Sequence, residues 1–128
     1  MTQVPSHLLY SREHCWVNVI APNLVRVGVT DFVQDQLGFI VFVELPLVGS
    51  SIIADESVGS VESVKTVSDI LSPVSGEIVQ INCLLEKSPE KVNDQPYGEG
   101  WLFEVKISGM DELQSLLTAE QYSGLTEG

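Results

Sequence analysis

ESVKTVSDILSPVSGEIVQIN, residues 62–82, decides how this chain folds. Its apolar and β-branched residues come in short runs, broken near Lys65 and again at SPVSG. With the residues just before it, the stretch predicts strands over 57–63, 69–73 and 77–82. The first two form a hairpin with Lys65 near its tip. Pro73 and Gly76 shape the turn that follows, because proline fixes φ and glycine admits positive φ. Between Arg26 and Lys87, Lys65 is the only basic side chain, and nine acidic ones share that span.

Working outward, further strands are expected over 8–10, 15–20, 24–29, 40–45, 51–53 and 101–107. Turn-rich PLVG, SPE and PYGEG separate several of them. GFIVFVEL from Gly38 and GEIVQINC from Gly76 form a weak internal repeat flanking the lysine. Helical signals are short. Thr30 and Asp31 before FVQDQL read as a capped helix of about two turns, with Asp31 and Gln34 spaced as a capping box. Leu113, Leu116 and Leu117 place an amphipathic helix over about 110–125. The chain is therefore expected to be mainly β, a compact sandwich or barrel with short flanking helices and a C-terminal helix, in one domain over 1–128.

Six bases against eighteen acids give a net charge of −12. Such a surface argues against nucleic acid or an anionic membrane as partner and favours a monomer that meets basic patches on other proteins transiently. No basic segment leading into an apolar core opens the chain, so a cytoplasmic protein is expected. The two cysteines, Cys15 and Cys83, read as free thiols, and neither has the spacing of a zinc site. His14 neighbours Cys15, but adjacent strand residues face opposite sides, so a thiol–imidazole pair is not expected. With no nucleophile–base pair, metal cluster or phosphate-binding glycine loop in the sequence, an enzyme is the least favoured class.

The lysine then carries the question of function. An exposed lysine ordinarily only hydrates a surface. Schiff-base catalysis needs a depressed pKa, and the neighbouring anions Glu62 and Asp69 favour the ammonium instead. A third use is an attachment point, where acylation makes a neutral amide.

The surrounding residues resemble a known family. ESVKTVSDILSPVSGEIVQIN is similar to the lipoyl-lysine segment of the glycine cleavage system H proteins. The resemblance continues through REHCWV, VGVTDFVQDQLGFIVFVELPLVG, SPEKVNDQPYGEGWLFEVK and DELQSLLTAEQY, nearly the whole chain. It implies a barrel-sandwich hybrid of the lipoyl-domain type, with a lipoyl hairpin over about 57–73. It implies N6-lipoyllysine at Lys65, attached by a lipoate-protein ligase or lipoyl transferase. It implies that Glu62 and Asp69 serve recognition of the hairpin. The arm would visit a glycine decarboxylase, an aminomethyltransferase and a dihydrolipoyl dehydrogenase, the chemistry belonging to the cofactor and those enzymes.

The sequence departs from that pattern at two places. The family usually reads His-Glu-Trp where this chain has His14, Cys15 and Trp16, and commonly has an acidic residue where Phe39 stands. The family's glutamate helps hold the loaded arm in a cleft, which makes Glu13, His14 and Cys15 the candidate cleft residues here. A thiol cannot pair with an amine as a carboxylate does. One reading is therefore the aminomethyl carrier of glycine cleavage. A second is a carrier of sulfur intermediates beside heterodisulfide-reductase-like subunits, with Cys15 as a working thiol and Cys83 as a possible second one. A third is a non-catalytic lipoate donor or regulatory paralogue.

Overall fold

The computed structural model describes residues 4–127, apart from the side chains of Gln34, Met110 and Glu127. Nine strands and four α-helices follow one another: β1 (Leu9–Tyr10), β2 (Cys15–Ala21), β3 (Leu24–Val29), α1 (Asp31–Leu37), β4 (Ile40–Glu44), β5 (Ser51–Ile52), β6 (Ser57–Ser63), β7 (Val67–Leu71), β8 (Gly76–Ile81), α2 (Leu84–Lys87), α3 (Lys91–Asp94), β9 (Phe103–Ile107) and α4 (Ala119–Glu127). A 3₁₀ helix, Met110–Ser115, precedes α4. The strands make a six-stranded sheet in the order β1-β2-β3-β9-β8-β5 and a three-stranded sheet β4-β6-β7, antiparallel throughout.

The two sheets enclose one core. Val25, Val27, Ile78, Phe103 and Val105 from the larger sheet and Val61 and Ile70 from the smaller are among its buried residues. Each such side chain, taken out of water, contributes about 1.5–3 kcal/mol. A smaller cluster of Leu8, Tyr10, Trp16 and Tyr122 closes one side. Trp16 lies opposite Gly28 across β2 and β3, and its indole takes the space that any side chain at Gly28 would need.

The β6–β7 hairpin has the expected place but a tighter turn. Only Val64, Lys65 and Thr66 separate its strands, so β7 begins at Val67 and ends at Leu71 rather than spanning 69–73. Ser72 to Ser75 then make the SPVSG turn. Gly76 heads β8 at φ 157°, where a β-carbon would strike the Lys106 carbonyl of β9. The repeat is real at each glycine, since Gly38 also has positive φ ahead of β4, but β4 lies in the small sheet and β8 in the large one. The one-turn helices α2 and α3 lie on either side of the SPE turn, in residues for which the sequence predicts no element.

The single helix expected over about 110–125 is corrected to two pieces. Leu113 and Leu116 pack on the main core, whereas Leu117 packs on the smaller cluster. Leu117 turns extended and exchanges two backbone hydrogen bonds with Tyr10: it donates at 2.7 Å and accepts at 2.8 Å. No helix can continue through that bridge. Thr118 restarts it with a capping box, its N–H donating to Gln121 Oε1 at 3.0 Å and its hydroxyl accepting from the Gln121 N–H at 3.2 Å. Thr118-Ala119-Glu120-Gln121 carried that signal in the sequence. At α1 the Thr30 carbonyl accepts from Val33 N–H at 3.0 Å, while the Gln34 half of the expected box lies outside the described side chains.

Candidate functional site

Lys65 stands exposed at the tip of the β6–β7 hairpin. Ser63 holds the tip. Its N–H donates to the Thr66 carbonyl at 2.8 Å, and its buried hydroxyl accepts from the Lys65 and Thr66 N–H groups at 3.1 and 3.2 Å. A serine hydroxyl bonding backbone two and three residues ahead makes a rigid turn. The lysine backbone is thereby fixed while its side chain stays in water. Val64 and Val67 flank it, both largely exposed. Ser63 carries a signal in the sequence, since its spacing ahead of Lys65 is that of a serine turn.

Glu62 and Asp69 are both exposed and share the outer face of the small sheet, in register with Val67 and Ser60 respectively. Only Asp69 also lines the neighbouring cleft, because β7 is the sheet's edge strand.

That cleft, of about 410 Å³, runs between the β7 edge, α1 and the turn before β2. Glu13, His14 and Cys15 all line it, as the sequence reading grouped them, together with Phe32, Ser68 and Asp69. The strand alternation expected to separate His14 from Cys15 does not apply. His14 is not in the strand but in the preceding turn, at φ 70°, a left-handed conformation that histidine adopts more readily than most residues. Ser11 closes this turn, its hydroxyl accepting from the Cys15 N–H at 3.1 Å. The Thr30 N–H donates to the His14 carbonyl at 2.9 Å, which ties the turn to the head of α1.

The His14 ring stacks on Phe32 with centroids 4.3 Å apart. Its Nδ1 is 2.7 Å from the Tyr122 hydroxyl, which lies 2.6 Å from the Thr30 hydroxyl. Burial lowers the His14 pKa from its ordinary value, partly offset by the Glu13 carboxylate. Cys15 does not bond the imidazole. Its thiol is buried at 1% exposure, points at the Leu71 carbonyl at 3.5 Å, and is pushed up by burial to about 12. A thiol so held is a neutral filler at physiological pH. The cleft thus has two carboxylate residues and no lysine or arginine in its lining.

Cys83, by contrast, is exposed and outside the cleft. At pH 8 an aromatic disulfide reagent is therefore expected to titrate Cys83 promptly and Cys15 at least about a hundredfold more slowly. Both should react at once in denaturant, and two fast thiols in the native chain would contradict the burial of Cys15.

No group of three or more His, Cys, Asp or Glu could hold a metal ion among the described residues, and none of their helices is long and apolar enough to cross a membrane. Two antiparallel sheets over one core, with a lysine on an exposed hairpin, define a barrel-sandwich of the lipoyl-domain type. The family model for the glycine cleavage H-protein matches residues 8–128. The glycine cleavage system H protein of Coprothermobacter proteolyticus is 53% identical over 115 residues, 90% of this chain and 91% of that one. That of Rubrobacter xylanophilus is 52% identical over 123 residues, 96% of this chain and 94% of the relative. The crystal structure of a glycine cleavage system H protein from Mycobacterium marinum superposes with a TM-score of 0.89 at 39% identity, covering 98% of this chain and 100% of that one. This chain belongs to the glycine cleavage H-protein family.

Proposed function

We propose that the protein is the aminomethyl carrier of a glycine cleavage system, with lipoate amide-linked to Lys65. One observation carries the reading: a solitary base sits on a hairpin tip whose second strand borders a cleft lined by two carboxylates and no lysine or arginine. Along β7 the cleft residues Ser68 and Asp69 lie three and four positions past Lys65, roughly 10–13 Å at strand rise. A lysine stem extended by an eight-carbon lipoyl chain spans roughly 14 Å. An arm of that length on Lys65 would reach the cleft, where Ser68 and Asp69 would border it.

The cleft's character fits a cationic cargo. A cationic load on such an arm would be attracted by Glu13 and Asp69, and no lysine or arginine of the lining would repel it. The apolar lining from Phe32, Val61 and Ile70 excludes water that would hydrolyse the load. A lipoate ligase or lipoyl transferase would recognise the hairpin through Glu62, Asp69 and the exposed Val64 and Val67. The decarboxylase, aminomethyltransferase and dihydrolipoyl dehydrogenase would supply the chemistry, and this chain only presents and shelters the arm.

Sulfur carriage draws no support from Cys15, whose buried thiol is held neutral, and Cys83 does not line the cleft. The test is exchange of label between bicarbonate and glycine by a glycine decarboxylase supplied with the lipoylated protein. Exchange matching a known H protein supports the reading. No exchange, with the known protein active in parallel, rules out the glycine role and leaves sulfur carriage or lipoate donation. Asp69→Asn should shorten the lifetime of the aminomethyl load about three- to tenfold at pH 7. Because Asp69 is exposed, stability should change by no more than about 0.5 kcal/mol.

A further inference from the structure

Tyr122 of α4 reaches His14 of the cleft lining. Tyr122 is fully buried, while Glu120, Gln121, Gly124 and Leu125 around it are exposed. Its ring stacks on Tyr10 at 4.7 Å, and its hydroxyl sits between His14 Nδ1 and Thr30 Oγ1. Thr30 is buried at 1%, and the Tyr122 oxygen is its hydroxyl's hydrogen-bond partner. Either hydroxyl of this pair could donate, but only donation by Thr30 gives the buried threonine proton an acceptor in the group. Tyr122 has one proton of its own, and it goes to His14 Nδ1. The imidazole must then be neutral, with its ring proton on Nε2.

We infer that Tyr122 is the positioning residue that holds His14 neutral and fixed in the cleft, so that the cleft keeps the net negative charge an ammonium-bearing arm requires. The inference rests on the cleft being the seat of the loaded arm. The other titratable residues lining the cleft are Glu13 and Cys15 of the same turn and Asp69 of β7, whereas α1 brings only Phe32, Val33, Gln36 and Leu37 to it; Glu13 acts on the imidazole electrostatically, and Phe32 and Tyr122 touch it. Cys15 is uncharged, so the lining's charge is set by two carboxylates and by whatever His14 carries. An imidazolium there would cancel one carboxylate and repel the load. Protonating Nδ1 would displace the Tyr122 donor and strand the buried Thr30 proton, and that cost opposes the imidazolium.

Tyr122→Phe tests this, since it keeps the ring that stacks on Tyr10. Nitrogen-15 NMR of the unloaded wild-type chain should show His14 as the Nε2–H tautomer, and the Nδ1–H tautomer would overturn the inference whatever the variant does. In Tyr122→Phe the His14 midpoint should rise by about one pH unit, because a bond to the neutral form has been removed. The lipoylated variant, loaded from labelled glycine, should lose its aminomethyl group about three- to tenfold faster than wild type at pH 6 and converge towards it at pH 8. Purely structural loosening would speed loss equally at both pH values, and that outcome, or an unmoved midpoint, also overturns it. A urea-unfolded sample separates the two readings. If native wild type loses its load as fast as unfolded chain, the cleft reading falls and takes this one with it. If native wild type protects its load and Tyr122→Phe protects it equally at both pH values, only the role of Tyr122 falls.

Discussion

Lys65→Arg, co-expressed with a lipoate ligase, is expected to come out folded, unmodified and inactive as a carrier. Arginine keeps the positive charge and the long exposed stem, and the backbone bonds that set the tip come from Ser63 and Thr66 rather than from the lysine side chain. What it lacks is an amine that can be acylated. Intact-mass measurement should show one lipoyl addition on wild type and none on the variant, with equal thermal midpoints. Glycine–bicarbonate exchange should fall from wild-type level to background. A lipoyl addition on Lys65→Arg would move the attachment point to another lysine and remove the basis of the arm-to-cleft geometry. An unmodified wild-type chain under the same conditions would remove the carrier reading.

Trp16→Ala should have the largest effect on stability, about 3–5 kcal/mol. The indole is 2% exposed, fills the space above Gly28, and donates from Nε1 to the Pro96 carbonyl at 2.9 Å. The neighbouring glycine offers no side chain to collapse into the void. For a domain of this size that loss is a large part of the total stability. The urea midpoint should drop by about 2 M. Trp101, the other tryptophan, remains as the fluorescent reporter in the variant. A drop below about 0.5 M would mean that the cluster around Tyr10 and Tyr122 repacks without the indole.

Much of this architecture was legible because β-strands and tight turns write themselves locally. Positive-φ glycines, alternating valines and a lone lysine between two runs of them need no knowledge of distant residues. The ends of strands were less legible. The reading delayed β7 to Asp69, since nothing in KTV marks a three-residue loop until Ser63 is recognised as its clamp. The C-terminal segment misled for a different reason. Its leucines have helical spacing, but that spacing cannot say that Leu116 and Leu117 serve separate clusters, and Tyr10 draws Leu117 into a strand-like bridge from over a hundred residues away. The cleft was legible only in part. Glu13, His14 and Cys15 stood together in one motif. Their partners Phe32, Asp69, Thr30 and Tyr122 come from three other elements, and only the folded chain brings them in. The state of Cys15 was likewise beyond the sequence, because a thiol's reactivity depends on burial rather than on neighbours in the chain.

The bridge between Tyr10 and Leu117 has a consequence for how the protein is made. The β6–β7 hairpin is local and can close as soon as its residues leave the ribosome. The cluster of Leu8, Tyr10, Trp16 and Tyr122 cannot, because its last member is synthesised more than a hundred residues after its first. Contacts of such separation form late. Through most of synthesis the nascent chain therefore holds out two of its largest aromatic side chains uncovered. Apolar surface exposed over such an interval favours aggregation in general, and here the shielding comes from the last helix to be made.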